Sequence, residues 1–183
     1  MAYGVMIESQ IMATDVGTLN RFAKCTSNVD GGGLVSLANP TTQGDDVWTA
    51  TVPASGTLGG LYMAYNPSEK YISVNGKEFA GLSEDPRDYT NLANKTFTVF
   101  KPKVGDEVIV TIDCVDASGS AAVAGDILES KADQTKLQRI AAGTGATAGS
   151  TAFKIETVIT LPFPSASIGE DRVKAFRALC IQE

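Results

Sequence analysis

The chain contains no histidine among its 183 residues. That absence removes every Ser-His-Asp and Cys-His mechanism and every histidine-ligated zinc or iron site. What remains is carboxylate chemistry, lysine chemistry and cofactor binding. Cysteine is scarce too: Cys25, Cys114 and Cys180 lie far apart, with no Cys-x-x-Cys spacing. A zinc ribbon or thioredoxin-type site is therefore excluded. An odd, widely separated set is expected as reduced, buried thiols, with a disulfide between two of them left open. No apolar run approaches the roughly 20 residues that a bilayer-crossing helix needs. Residues 1–16 lack the basic start and continuous apolar stretch of a secretory signal, so synthesis in a cytoplasm is the expectation.

Positive charge is also thinly spread. The formal net charge is −6, and nucleic-acid affinity depends largely on Lys and Arg displacing counterions from phosphates. The closest approach to a basic cluster is Arg172-Val173-Lys174-Ala175-Phe176-Arg177. Strand alternation puts Arg172 and Lys174 on one face and Arg177 on the other, the pattern of a solvated strand. Neither nucleic acid nor a membrane is expected as a partner.

What the chain does have is β-strand pattern. It is 43% hydrophobic, with 18 Gly and 7 Pro set between short apolar runs, which favours turns and short strands over long helices. A chain this long can bury roughly 70% of its unfolded surface without a disulfide or metal. The stretch 101–130 is the most informative. Val108, Val110, Ile112 and Cys114 alternate with Glu107, Ile109, Thr111 and Asp113, the two-residue period of a half-buried strand. Val104-Gly105-Asp106 precedes that run, and a second turn of the same kind, Ala124-Gly125-Asp126, leads into Ile127-Leu128. Two such strand-entry turns point to a small barrel or sandwich.

Further strands are predicted at 19–25, 34–37, 47–52, 61–65, 71–74, 77–79, 137–140, 153–160 and 172–181. Asp30-Gly31 and Asn75-Gly76 are read as hairpin turns joining their flanking strands. Pro162 and Pro164 are read as the end of the strand before them, and 82–94 as an irregular loop with one helical turn. The fold class is all-β: a small barrel or sandwich with long loops and an N-terminal arm. The expected organisation is an arm at 1–16 that packs on a neighbour, then one β-rich domain at 17–183, as one body or two lobes.

Candidate chemistry is sparse. The acidic pairs Asp45-Asp46, Glu84-Asp85 and Glu170-Asp171 fall in turn-like segments, where carboxylates serve solvation and turn hydrogen bonds. None has the alternating ligands of a calcium loop. Gly143-Thr144-Gly145-Ala146-Thr147-Ala148-Gly149 resembles a nucleotide loop superficially, but its third glycine is one position late and a β-type segment follows. It is read as a flexible loop that touches a partner. Most aromatic residues alternate with polar ones and are expected in the core. Phe163 stands between two prolines, is read as unable to join a regular ladder, and becomes a protein-contact candidate. The contact candidates are therefore Met6, Ile7, Ile11 and Met12 of the arm, Gly145 and Thr147 of the loop, and Phe163. No catalytic, metal-ligating or cofactor-binding residue is assigned, no cofactor is expected, and the chain is read as a non-enzyme.

Several stretches resemble capsid decoration (cement) proteins of tailed bacteriophages, particularly those of phages infecting Gram-positive hosts. They are Met1-Ala2-Tyr3-Gly4-Val5, Val29-Asp30-Gly31, Leu61-Tyr62-Met63-Ala64-Tyr65-Asn66-Pro67, Asp85-Pro86-Arg87-Asp88-Tyr89-Thr90-Asn91, Phe100-Lys101-Pro102-Lys103-Val104-Gly105-Asp106 and Arg172-Val173-Lys174-Ala175-Phe176. The resemblance implies a structural protein on the outer surface of a phage head, tying neighbouring capsomers together. Its partner would be the major capsid protein, and it would be a homo-oligomer, with a trimer favoured. The alternative is a carbohydrate-binding or receptor-binding head-fibre module, in which Trp48, Tyr62 and Tyr65 would form a sugar-stacking platform.

Overall fold

A computed structural model describes residues 2–40, 46–74, 77–81, 83–164 and 170–183. The strands, in chain order, are β1 (Met6–Gln10), β2 (Asn20–Cys25), β3 (Leu34–Ala38), β4 (Val47–Thr51), β5 (Tyr62–Ala64), β6 (Tyr71–Val74) and β7 (Lys77–Ala80). They continue with β8 (Thr96–Phe100), β9 (Glu107–Thr111), β10 (Ile127–Glu129), β11 (Gln138–Ile140), β12 (Ala152–Pro164) and β13 (Glu170–Gln182). A single short helix, α1 (Met12–Asp15), and several 3₁₀ turns complete the described elements. The protein is all-β: β2-β4-β3-β5-β8 close a barrel, β1-β9-β13-β12-β10-β11 form a six-stranded sheet, and β6-β7 stand apart as a hairpin. The Asn75-Gly76 turn assigned to that hairpin lies outside the described residues.

A barrel with five strands cannot be antiparallel throughout, because strand direction must alternate around a closed ring. The mismatch falls between β2 and β4, which run parallel with Phe22 opposite Val47 and Cys25 opposite Ala50. This corrects the hairpin expected at Asp30-Gly31: β3 pairs with β4 and β5, not with β2. The intervening segment is occupied elsewhere. Val29 is fully buried and exchanges backbone hydrogen bonds with Asn91, at 2.9 and 3.0 Å. The Asp30 carboxylate accepts from Gly4 N and from Thr90 Oγ1. These long-range partners outweigh a local turn preference.

The barrel and the sheet share a wall. In β3, Leu34 packs into the sheet core while Val35 packs into the barrel core. Met63 and Ala64 of β5 divide the same way, as do Phe100 and Val99 of β8. Period-two alternation therefore puts apolar residues on both faces of these strands, since neither face meets water. On the sheet side, Met6, Val108, Val110, Phe153, Ile155 and Phe176 meet that wall. The two cores meet at this wall. The sheet core also takes in Met6 and Ile11 of the expected arm, where β1 pairs with β9, Met6 opposite Val110.

The 101–130 stretch behaves as its pattern predicts up to Thr111, after which Ile112–Cys114 winds into a 3₁₀ turn. Cys114 stays buried, its thiol donating to the carbonyls of Gly31 and Val5 at 3.2 and 3.4 Å. The two Gly-Asp turns are built alike. Gly105 and Gly125 adopt φ of 100° and 91°, which a side chain would strain. Each glycine N–H donates to a strand of the central hairpin, Gly105 to Cys180 O and Gly125 to Ile155 O. Each following aspartate carbonyl accepts from that same strand residue, Cys180 N or Ile155 N, at 2.8 Å.

Pro162 and Pro164 do not end β12. The strand runs through both, with Pro162 opposite Arg172, Phe163 opposite Asp171 and Pro164 opposite Glu170. Their equal parity supplies the reason. Backbone groups of alternate residues point to the same side of a strand, so both prolines direct their missing donors away from β13. On that outer side β10 pairs only with Ala152–Lys154. Prolines on such an edge break no ladder and blunt it against unwanted pairing.

Chemical denaturation followed by tryptophan fluorescence and by circular dichroism is expected to give one coincident transition, because the two cores share the β3-β5-β8 wall. Phe100→Ala should lower the unfolding free energy by about 3–5 kcal/mol. Separate barrel and sheet transitions would refute the shared-core account.

Candidate functional site

The carboxylates are where a histidine-free chain could still do chemistry, and the structure engages the buried ones with its own backbone. Asp106, 3% exposed, accepts from Lys103 N and Met12 N, both at 2.8 Å. Asp126, 1% exposed, accepts from Val123 N, Ala142 N and Arg139 Nε at 3.0, 2.8 and 2.6 Å. The Arg139 hydrogen bond, with the backbone donors, holds the Asp126 carboxyl below its usual range. Glu129, 1% exposed, accepts from Thr147 N and Oγ1, Ser150 Oγ and Gln138 Nε2. Such multiply satisfied carboxylates act as internal braces.

Of the acidic pairs, Asp45 and the Glu170 side chain lie outside the described residues. Asp85 forms a multidentate pair with Arg87, with contacts of 2.6 to 3.1 Å. Desolvation raises the Asp85 carboxyl, but the Arg87 hydrogen bonds and charge outweigh it and hold it low. Asp171 reaches the same guanidinium at 3.0 Å. Among the described residues no group of three or more Cys, Asp or Glu side chains is placed to hold a metal ion. No described helix is long and apolar enough to cross a membrane.

The contact candidates separate into two sets. Met6, Ile11 and Phe163 are 2%, 5% and 6% exposed. These three of the protein-contact candidates pack inside this chain, Met6 and Ile11 in the sheet core and Phe163 against Val5 and Val173. Ile7 and Met12 face solvent, at 38% and 48% exposed. Met12 lies beside Val104, 59% exposed, across a shallow hollow of about 600 Å³ also lined by Ser9, Gln10, Asp15 and Gly105. Val16, 39% exposed, follows the same helix. Sequence reasoning missed Val104, although its place in a Gly-Asp turn hinted that no strand would cover it.

Gly145 and Thr147 sit in an exposed loop, but the loop is braced. Beyond the Glu129 bonds, Gln182 Nε2 donates to Thr147 O and Ser150 O at 2.8 and 2.7 Å. Gly143, Gly145 and Gly149 all have positive φ, a conformation that favours glycine at each position. The flexibility expected there gives way to a buried carboxylate at its centre.

The three aromatic residues of the sugar-platform alternative are held separately. Tyr62 packs on the barrel core and Tyr65 on the sheet core. The Tyr65 hydroxyl donates to Asn20 Oδ1, and burial, with the charges of Glu8 and Asp106, raises it to about 12. Trp48 is half-buried with the Arg21 guanidinium 5.7 Å from its ring. The cysteines are all buried and unpaired with one another. Desolvation pushes the Cys114 and Cys180 thiols up to about 12. In comparisons with known proteins the chain matches no family model, no curated protein and no solved structure.

Two outcomes are expected. Glu129→Ala should cost roughly 3 kcal/mol or more by stranding several donors, and should raise amide exchange across 143–150 above the rest of the sheet. In a thiol titration with Ellman's reagent at pH 8, Cys114 and Cys180 should react only after denaturant is added, because thiolate is the reacting form. Rapid modification of either in the native protein would contradict the burial described above.

Proposed function

We propose that the chain is a structural virion protein that binds the outer surface of an assembled phage head and stabilises its lattice. The observation that carries this reading is the division of labour between interior and surface. The buried carboxylates are engaged with backbone donors and cations, whereas apolar side chains such as Met12, Val16 and Val104 stand exposed on a braced frame. A surface of that kind suits protein contact better than turnover. The family resemblance of the sequence names the partner: the major capsid protein, met at many equivalent positions, where repeated modest contacts add up through avidity. The net charge of −6 is compatible with a place outside a DNA-filled shell. In this reading the protein is made in the host cytoplasm, acts as a homo-oligomer, with a trimer favoured, and needs no cofactor.

Co-sedimentation with purified expanded heads tests the proposal. The wild-type protein should pellet with heads and saturate at a fixed ratio to capsid subunits. A Met12→Asp, Val104→Asp double variant that keeps the wild-type circular dichroism spectrum should lose at least about tenfold in affinity, the effect of removing a few apolar contacts. Failure of the wild-type protein to bind heads, together with its absence from isolated virions, sinks the reading.

A further inference from the structure

The outer half of the long β12–β13 hairpin stands on different support from its inner half. On one side β9 accompanies β13 only from Ala175 to Leu179. On the other, β10 accompanies β12 only over Ala152–Lys154, extended to Ile155 through its bonds with Gly125 and Asp126. Beyond Ile159 and Ala175 the described strands continue as a two-stranded ribbon, 160–164 against 170–174. The register shifts between Ile155 and Thr157, a bulge just where the outer support ends. Bulges bend strands and interrupt ladders locally. A two-stranded ribbon is marginal by itself in water, so whatever holds the outer half must come from its contacts with the body.

Those contacts are few and identifiable. Leu161, Phe163 and Val173 face a small apolar seat of Val5 and Ile112, and Ile112 also packs against the sheet core. One cation reaches from the body onto the ribbon. Arg87, itself held by Asp85, bonds Asp171 at 3.0 Å and lies 5.0 Å from the centre of the Phe163 ring. A second reaches from the ribbon onto the body, where Lys174 Nζ donates to Ser120 O and Ala122 O at 3.0 and 2.8 Å. Asp171 remains 59% exposed, so water competes for its bond to Arg87.

We propose that 160–164 and 170–174 form a strap that opens from the body as a unit, hinging where the β9 ladder ends at Ala175, while the inner halves of β12 and β13 stay in the sheet. Among the described residues, opening requires loss of one small apolar cluster and the Arg87 and Lys174 contacts, less than unfolding either core, which places it among local openings rather than global ones. It also gives Phe163 a role that its burial otherwise denies: the ring reaches a partner only when the strap is open. The strap is independent of the capsid reading, and its test contains no capsid.

Residue-resolved hydrogen exchange by NMR on the full chain provides that test, because each strand carries its own control. In the wild-type protein, amides of Leu161, Phe163 and Val173 should exchange faster than those of Phe153, Ile155, Phe176 and Ala178. Asp171→Asn and Lys174→Met each remove one staple while Arg87 keeps Asp85 as its partner. Each should speed exchange of the outer set roughly tenfold, the loss of one charged hydrogen bond, with the inner set unchanged. Equal protection of the two sets, a shift of both sets together, or an outer set indifferent to both substitutions overturns the strap.

Discussion

The fold depends on two aspartates buried at the entries to β9 and β10. Asp106 and Asp126 each turn their carboxylate back onto the N–H three residues earlier, Lys103 N and Val123 N. Each also takes a donor from a distant segment, Met12 N for Asp106 and Ala142 N for Asp126. Their backbones lock onto opposite strands of the central hairpin, at Cys180 and Ile155. β12 and β13 are thereby stitched into the sheet from both sides by the same device. A carboxylate taken out of water is costly unless several donors satisfy it, so an aspartate in this position defines one geometry and tolerates little else. The glycine before each supplies the positive φ that brings the turn close enough to bond.

From these anchors the rest of the architecture follows by packing. The sheet that they assemble offers an apolar face, and the β3-β5-β8 wall of the barrel covers it with Leu34, Met63 and Phe100. The barrel needs its parallel β2–β4 pair to close on five strands. The long excursion through Val29 and Asp30 is the connection that makes this possible. The buried carboxylates Asp106, Asp126 and Glu129 are engaged in holding turns and loops.

Much of this was legible in order. Alternation located several strands to within a residue or two, including β4, β6 and β13, because period two is a local property of a half-buried strand. It failed where a distant partner decided the outcome. Asp30-Gly31 carries a strong turn signal, yet Asn91 and Thr90 claim its neighbourhood. Pro162 and Pro164 look like terminators, yet an unpaired outer edge accepts both. Gly143–Gly149 looks flexible, yet Glu129, whose position in β10 signals nothing special, braces it from beneath. Of the contact candidates, Ile7 and Met12 stayed outside while Met6 and Ile11 turned inward onto the sheet core.

The sequence by itself determined the all-β class, the strand positions and the exclusion of histidine chemistry, because each is written in composition or in a period of two. Only the tertiary structure decided which strands are neighbours, which carboxylates are buried braces and which apolar residues face water. Those outcomes depend on pairings between residues tens of positions apart, such as Met12 with Asp106 and Arg87 with Asp171. Pairings of that range are settled by the free energy of the whole core, and no local window of the chain contains both partners.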